Sequence, residues 1–356
     1  MISIISKAFN VVLNDPEWMY LFLKEAYFYL FSLGIAAASL GVFLWLGFYI
    51  GLINAYPLRL HGSIMFFSFL FSFVMGFLMT AIPRMMQSIS ARNYEIITAL
   101  MLCSAHWILN FSLSAVYIFA LQLVFIFIFI FILKRFFSAG DFKFFYIFCG
   151  EAFLLNLICG IGARLIPAIG RIPAALNPDQ AAEKPRYFEF FIYAFFSNSS
   201  FLLEFFGYAL FAYGMRIVFL IIYAVLEFKI LKKPMQPTSI GVGLKFSVLG
   251  LILGYALVAF NIGGPLAAMH VVYISGFTLL TLMVASRVAI AHAGRSLNLE
   301  INSKPLLVTI GLFMLAAILR YSVLAGSPDL QIAVLISAAV AYLFALWTWK
   351  FFILKR

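Results

Sequence analysis

Charge is scarce in this chain, and negative charge most of all. Its 356 residues hold 13 Asp and Glu against 24 Lys and Arg, and only 10 % of positions are charged. Globular proteins carry about 25 %, so no sizeable soluble domain can be built between the apolar runs. Cysteine is nearly absent as well. Cys103, Cys149 and Cys159 lie in apolar runs at spacings that fit no zinc, iron–sulfur or redox motif, and they read as buried free thiols. There is no Ser-His-Asp arrangement, phosphate-binding glycine loop or Cys-X-X-Cys, which sets aside soluble-type hydrolase and nucleotide chemistry. The N-terminal stretch lacks the pattern of a cleavable signal, because Asn14, Asp15, Pro16, Lys24 and Glu25 interrupt it. Residues 1–26 read instead as a retained interfacial lead-in.

What is abundant is apolar: 65 % of the chain, with a mean hydropathy of +1.09. This composition implies an all-α, polytopic membrane helix bundle, a single transmembrane domain over residues 1–356. The net charge of +11 does not imply a nucleic-acid partner. Its Lys and Arg sit in short connections, where membrane topology places them, and the partner is lipid.

Spans are expected at about Tyr27–Leu52, Leu60–Ile82, Glu95–Asn110, Ser112–Leu133 and Lys143–Leu165, then at about Ile240–Phe260, Leu266–Ala291, Pro305–Leu324 and Leu330–Lys350. Residues 166–186, rich in proline, read as an extracytoplasmic loop. The stretch Tyr187–Lys233 allows two short crossings, or one crossing plus an interfacial helix. Five basic clusters all fall on the cytoplasmic side if it crosses once, which gives ten spans. The helices headed by His61 and His270 then run in the same direction, with both histidines near the outer face. An eleven-span count separates them by most of the membrane thickness.

Leu60–Arg84 is uncharged between His61 and Arg84, and twenty-two residues at about 1.5 Å each span about 33 Å, a bilayer core. Ser68, Ser72, Gly76 and Thr80 recur every fourth residue on one side, which calls for protein or a cofactor rather than lipid. Leu266–Arg295 has the same construction, headed by His270 and relieved by Ser275, Gly276, Thr278 and Thr281.

Four histidines keep the ligand assignment short. His270 and His292 lie about 33 Å apart on one helix and cannot share a metal. His106 sits deep in its own helix. His61 with His270 is the pair able to hold one iron, as two imidazoles from separate helices hold a b-type haem; helix-end histidines satisfied by water and backbone are the alternative. Arg320, in an otherwise apolar helix, calls for an anionic partner, either a haem propionate, a buried Glu151 or Glu204, or a lipid phosphate. Arg59 is a second cation beside His61. Glu151 and Glu204 are candidate proton carriers. The irregularly spaced methionines Met65, Met75, Met79, Met85 and Met86 are fillers rather than copper ligands.

Three ordered motifs carry a family resemblance. HGSIM and GFLMTAIPR resemble the HAHEM and GFLLTAVPN of the NnrS family, LMVASRVAIAHAGRSL resembles its second signature, and GARLIPAIGR resembles a third, GGRVIP. The resemblance implies about twelve spans, haem, copper, and a link to nitric oxide metabolism and nitrosative stress in denitrifying bacteria. By position it implies roles for His61, His270, His292, Arg164, Arg287, Arg295 and Arg320, with His292 added to the metal ligands and Arg164 to the cofactor contacts. Ser63 and Ile64 stand where the family pattern has a second His and a Glu. LHGSIMFF is also distantly similar to haem-copper oxidase subunit I, but the three copper-binding histidines have no counterpart.

The resulting expectation is a bacterial inner-membrane protein with haem b between His61 and His270, propionates at Arg320 and Arg59, and nitric oxide as ligand. With both axial positions filled, nitric oxide must displace a histidine, so electron transfer or sensing with an electron donor is easier than turnover as a nitric oxide reductase. A transporter or respiratory-complex assembly factor without its own cofactor is the alternative; a cofactorless structural subunit of a respiratory complex is a third.

Overall fold

The computed structural model describes residues 25–85, 90–109, 151–173, 187–292 and 295–324. These form helices α1 (Ala26–Tyr49), α2 (58–85), α3 (Asn93–Leu109), α4 (Glu151–Ile169), α5 (Tyr187–Phe205), α6 (Ala209–Leu226), α7 (Ser239–Ala259), α8 (Pro265–His292) and α9 (Lys304–Leu324), with a short 3-10 turn at Leu297–Glu300. Among the described residues there is no strand. Among the described residues six segments, Ala26–Tyr49, Leu58–Ala81, Ala209–Leu226, Ser239–Ala259, Pro265–His292 and Leu297–Ser322, are long and apolar enough to cross a membrane. The expected spans Ser112–Leu133 and Leu330–Lys350, and all of the lead-in before Glu25, lie outside the described residues.

The chain divides into two compact units, one of Met1–Ala38 with Gly62–Lys143, the other of Ser39–His61 with Phe144–Arg356. In the first, the four-residue stripe on α2 is buried and meets protein. Ser68 Oγ lies 3.1 Å from His106 Nδ1 on α3, Gly76 abuts Leu30 and Phe31 of α1, and Thr80 Oγ1 accepts from the backbone N–H of Tyr27 at 3.0 Å. Phe31 and Phe73 stack at 4.8 Å. Small groups allow backbones to approach, and in lipid that packing replaces the hydrophobic drive between helices.

The second unit repeats the device between α7 and α8. A Cβ on Gly250 would sit 2.9 Å from the backbone carbon of Ser275, and one on Gly254 would sit 2.8 Å from the backbone nitrogen of Val272. Gly254→Val is therefore expected to destabilise the protein by about 1–3 kcal/mol through overpacking. A lowered thermal midpoint in detergent, set against an unchanged Gly311→Ala control in open space, checks it.

One open stretch takes a definite form, and one loop boundary needs correction. Residues 187–233, where charge counting favours a single crossing, fold as two helices, α5 and α6, packed antiparallel: Tyr193 meets Tyr223, and Ser200 meets Arg216. The break is a helix stop in which Gly207 takes φ +86, its N–H reaching the Glu204 carbonyl while Tyr208 N–H reaches that of Leu203. Of the two, α6 alone is apolar enough to span. The helix expected to end at Leu165 continues to Ile169 with Pro167 inside it, then stops at Gly170 and Arg171, the latter at φ 53. The loop thus begins four residues later, and residues 174–186 lie outside the described residues.

Both histidine-headed helices share one irregularity. Ile64–Leu70 in α2 and Val272–Thr278 in α8 are seven-residue π-helical segments, each beginning two or three residues after the histidine. Runs of π-helix are rare and concentrate at functional sites.

Candidate functional site

His61 lies in the first turn of α2 and His270 in the second turn of α8, after Pro265 at the N-terminal end. Both belong to the second unit, as do Arg320 on α9 and Trp45 near the end of α1. A ring N–H of His61 donates from Nδ1 to the Gly41 carbonyl at 2.7 Å, and Nδ1 of His270 donates to the Leu266 carbonyl at 2.8 Å. Committing Nδ1 as donor leaves Nε2 as the lone-pair nitrogen in each ring, the state in which imidazole binds metals, with the backbone carbonyl fixing tautomer and orientation.

Arg320 is 7 % exposed. It acts electrostatically on both histidines, and His61 acts on His270, so the three groups occupy one neighbourhood. Its guanidinium stands 5.0 Å from the Trp45 ring centroid, and Trp45 packs edge-on to His61 at 5.5 Å and to Tyr56 at 5.3 Å. No carboxylate pairs with Arg320 among the described residues. A buried cation over an aromatic face with no carboxylate at it calls for an anionic partner. The Trp45 indole nitrogen, in a side chain 5 % exposed, also has no hydrogen-bond acceptor among the described residues.

The remaining candidates are elsewhere. Arg59 is exposed, two residues before His61 on α2. The side chains of Arg164 and Glu151 lie outside the described residues. His292 ends α8, a helix length from His270, and His106 is held against Ser68. Glu204 does not reach Arg320: it accepts from Arg216 and from the Tyr213 hydroxyl. Cys103 and Cys159 are buried free thiols, as expected, and Cys149 lies outside the described residues. Arg287 pairs with Glu300, which is fully buried and also 3.8 Å from Arg171.

Sequence reasoning missed Trp45, Arg216 and Glu300. Arg216 is 0 % exposed, donates from Nε to Ser200 Oγ at 3.0 Å, and stands 3.6 Å from the Phe201 centroid and 4.7 Å from that of Tyr213. Its signal was one arginine inside the apolar run YGMRIVFLIIY.

These helices define a polytopic membrane protein. Residues 21–150 and 136–356 match the family described as NnrS protein, so the chain belongs to the NnrS family and is a membrane protein related to nitric oxide metabolism. No curated protein and no solved structure matches.

Proposed function

We propose that the protein holds a haem b between His61 and His270 and uses it to handle nitric oxide at the bacterial inner membrane. The observation that carries the reading is the pair of imidazoles, each donating Nδ1–H to a backbone carbonyl and so keeping Nε2 for a metal. Among the described residues no group of three or more His, Cys, Asp and Glu could hold a metal ion. Two imidazoles therefore suit an iron whose other ligands come from a macrocycle better than a copper bound by protein alone.

When bound, the haem supplies a one-electron iron centre with affinity for nitric oxide. The chain's own residues do the rest. Arg320 neutralises a propionate, and Trp45 fixes the guanidinium from behind. The two histidines are not equivalent. His61 is tied to α1 through Gly41 and packed against Trp45, whereas His270 is tied only to its own helix through Leu266, four residues back, and its bond is exposed. His270 is the side chain free to swing aside for an incoming ligand, which favours sensing or electron transfer.

A reduced-minus-oxidised visible spectrum of the detergent-purified protein tests the reading, followed by nitric oxide titration. A b-type spectrum perturbed saturably by nitric oxide is expected, and a protein that stays colourless after haem reconstitution overturns it. Arg320→Leu is expected to lower the reduction potential, because removing a cation disfavours the added electron. The shift is about 60 mV for each 1.4 kcal/mol of lost interaction, and potentiometric titration reads it.

A further inference from the structure

A second site lies at the other end of α8. Arg287 follows His270 by seventeen residues, about 26 Å along the helix. Around it gather the turn after α4, the segment before α7 and the 3-10 turn before α9, bordering an open cavity of about 580 Å³ lined by Ala168, Arg171, Met235, Gln236, Arg287 and Leu297. Each wall comes from a helix end or a connection, so the cavity belongs to the end of the bundle, at interfacial depth. Positive-inside counting assigns Arg287, Arg295, Lys304 and Lys229 to the cytoplasmic face, and because Arg171 meets Gln236, Leu297 and Glu300 at that same end, the extracytoplasmic placement expected for the loop starting at residue 166 is corrected for its first residues.

The charges there are fixed. Arg171 donates to the Gln236 side chain and, at 3.0 Å, to the Leu297 carbonyl; Arg287 donates to buried Glu300. Arg171 takes its place because the backbone clamps it: its carbonyl accepts from Met235 N–H at 2.9 Å. A guanidinium has five N–H donors, and these contacts engage two on Arg171 and one on Arg287. The remaining donors are at a cavity wall, on side chains 15 % and 19 % exposed. Two guanidiniums against one carboxylate leave one net positive charge, which matches a phosphodiester rather than a doubly charged monoester. The volume is several times that of a phosphate, enough for a headgroup with its glycerol.

The geometry points to a binding site for an anionic phosphate group here, matched to a phospholipid headgroup and served by Arg171 and Arg287, with Glu300 setting the net charge. The two arginines come from two separate sequence motifs, GARLIPAIGR and ASRVAIAHAGR, 116 residues apart in the chain, and Glu300 joins them. The site is independent of the histidine pair.

The test uses the full-length protein in dodecyl maltoside, titrated with dioleoylphosphatidylglycerol and followed by native mass spectrometry. One saturable lipid adduct is expected. Glu300→Gln raises the net charge to two and is expected to bind about fivefold tighter; Arg171→Gln lowers it to zero and binds about fivefold weaker; the double variant returns to the native affinity. A merely structural ion pair predicts no such order, because both single variants would loosen the fold alike, and thermal midpoints measured in parallel expose a variant that fails to fold. Dioleoylglycerol, which lacks phosphate, is expected not to bind. Displacement of the lipid by millimolar inorganic phosphate assigns the site to the free anion, and absence of displacement assigns it to the headgroup; either keeps the phosphate chemistry. Equal affinity across the folded variants, or binding of dioleoylglycerol as strong as that of the phospholipid, overturns it.

Discussion

His61→Ala is expected to abolish haem retention in the purified protein, while His270→Ala keeps a haem whose spectrum has turned high-spin. The asymmetry follows from how each ring is held. His61 is oriented from outside its helix by the Gly41 carbonyl and the Trp45 edge, so it presents a prepared nitrogen, and losing it removes the anchoring ligand. His270 is oriented only by the Leu266 carbonyl of its own turn, and an iron held by His61, with Arg320 at a propionate, survives its loss with one axial position open. His270→Ala should then bind nitric oxide faster than the native protein, since no histidine has to leave. His106→Ala and His292→Ala should keep the native spectrum, the first ring being held by Ser68 and the second a helix length away. Visible spectra of the four variants, with haem quantified per chain, check the set; identical spectra in all four would end the paired-histidine reading.

Glu204→Ala is expected to cost about 3 kcal/mol of stability. Arg216 is completely buried among Phe201, Tyr213 and Tyr255, and Glu204 is the carboxylate that its guanidinium reaches. Removing one partner of such a pair strands the other charge, whereas replacing both by apolar groups is often neutral. Glu204 is itself 37 % exposed, so the reverse variant, Arg216→Leu, lets the carboxylate return to a polar environment and costs less. The double change Glu204→Leu with Arg216→Leu should recover most of the loss. Unfolding in mixed micelles, run as a double-mutant cycle, reads the coupling directly.

That His61 and His270 each head a long apolar helix was legible because histidine is rare here and each of the two sits in the opening turns of a long apolar run. Arg320 stood out because an arginine in the apolar run MLAAILRYSVLAG calls for an anionic partner. Trp45 was not, since a tryptophan in an apolar helix looks like any core residue until its neighbours are known. Arg216 was hidden by a rule that served elsewhere: reading Lys and Arg as markers of cytoplasmic connections discounts a cation in mid-run. The α5–α6 hairpin depended on a single glycine, Gly207, whose left-handed φ ends one helix, and 47 residues suit two short crossings or one crossing plus an interfacial helix equally well. Glu300 meets Arg171 across 129 positions, a distance at which periodicity says nothing.

The π-helical segments were invisible for a different reason. A helix that is apolar on all sides carries no phase, so an extra residue in one turn leaves no trace in the hydrophobic pattern. In the folded chain that residue matters. Each inserted position rotates everything before it by about 100° relative to everything after it. The few residues around His61 and His270 are thereby set at an angle of their own, while the longer parts of α2 and α8 keep the glycine and serine faces that lock them to their neighbours. Aim and packing are separately adjustable on one rod. The wide turns are what let a single sequence satisfy a ligand at its tip and a bundle along its length.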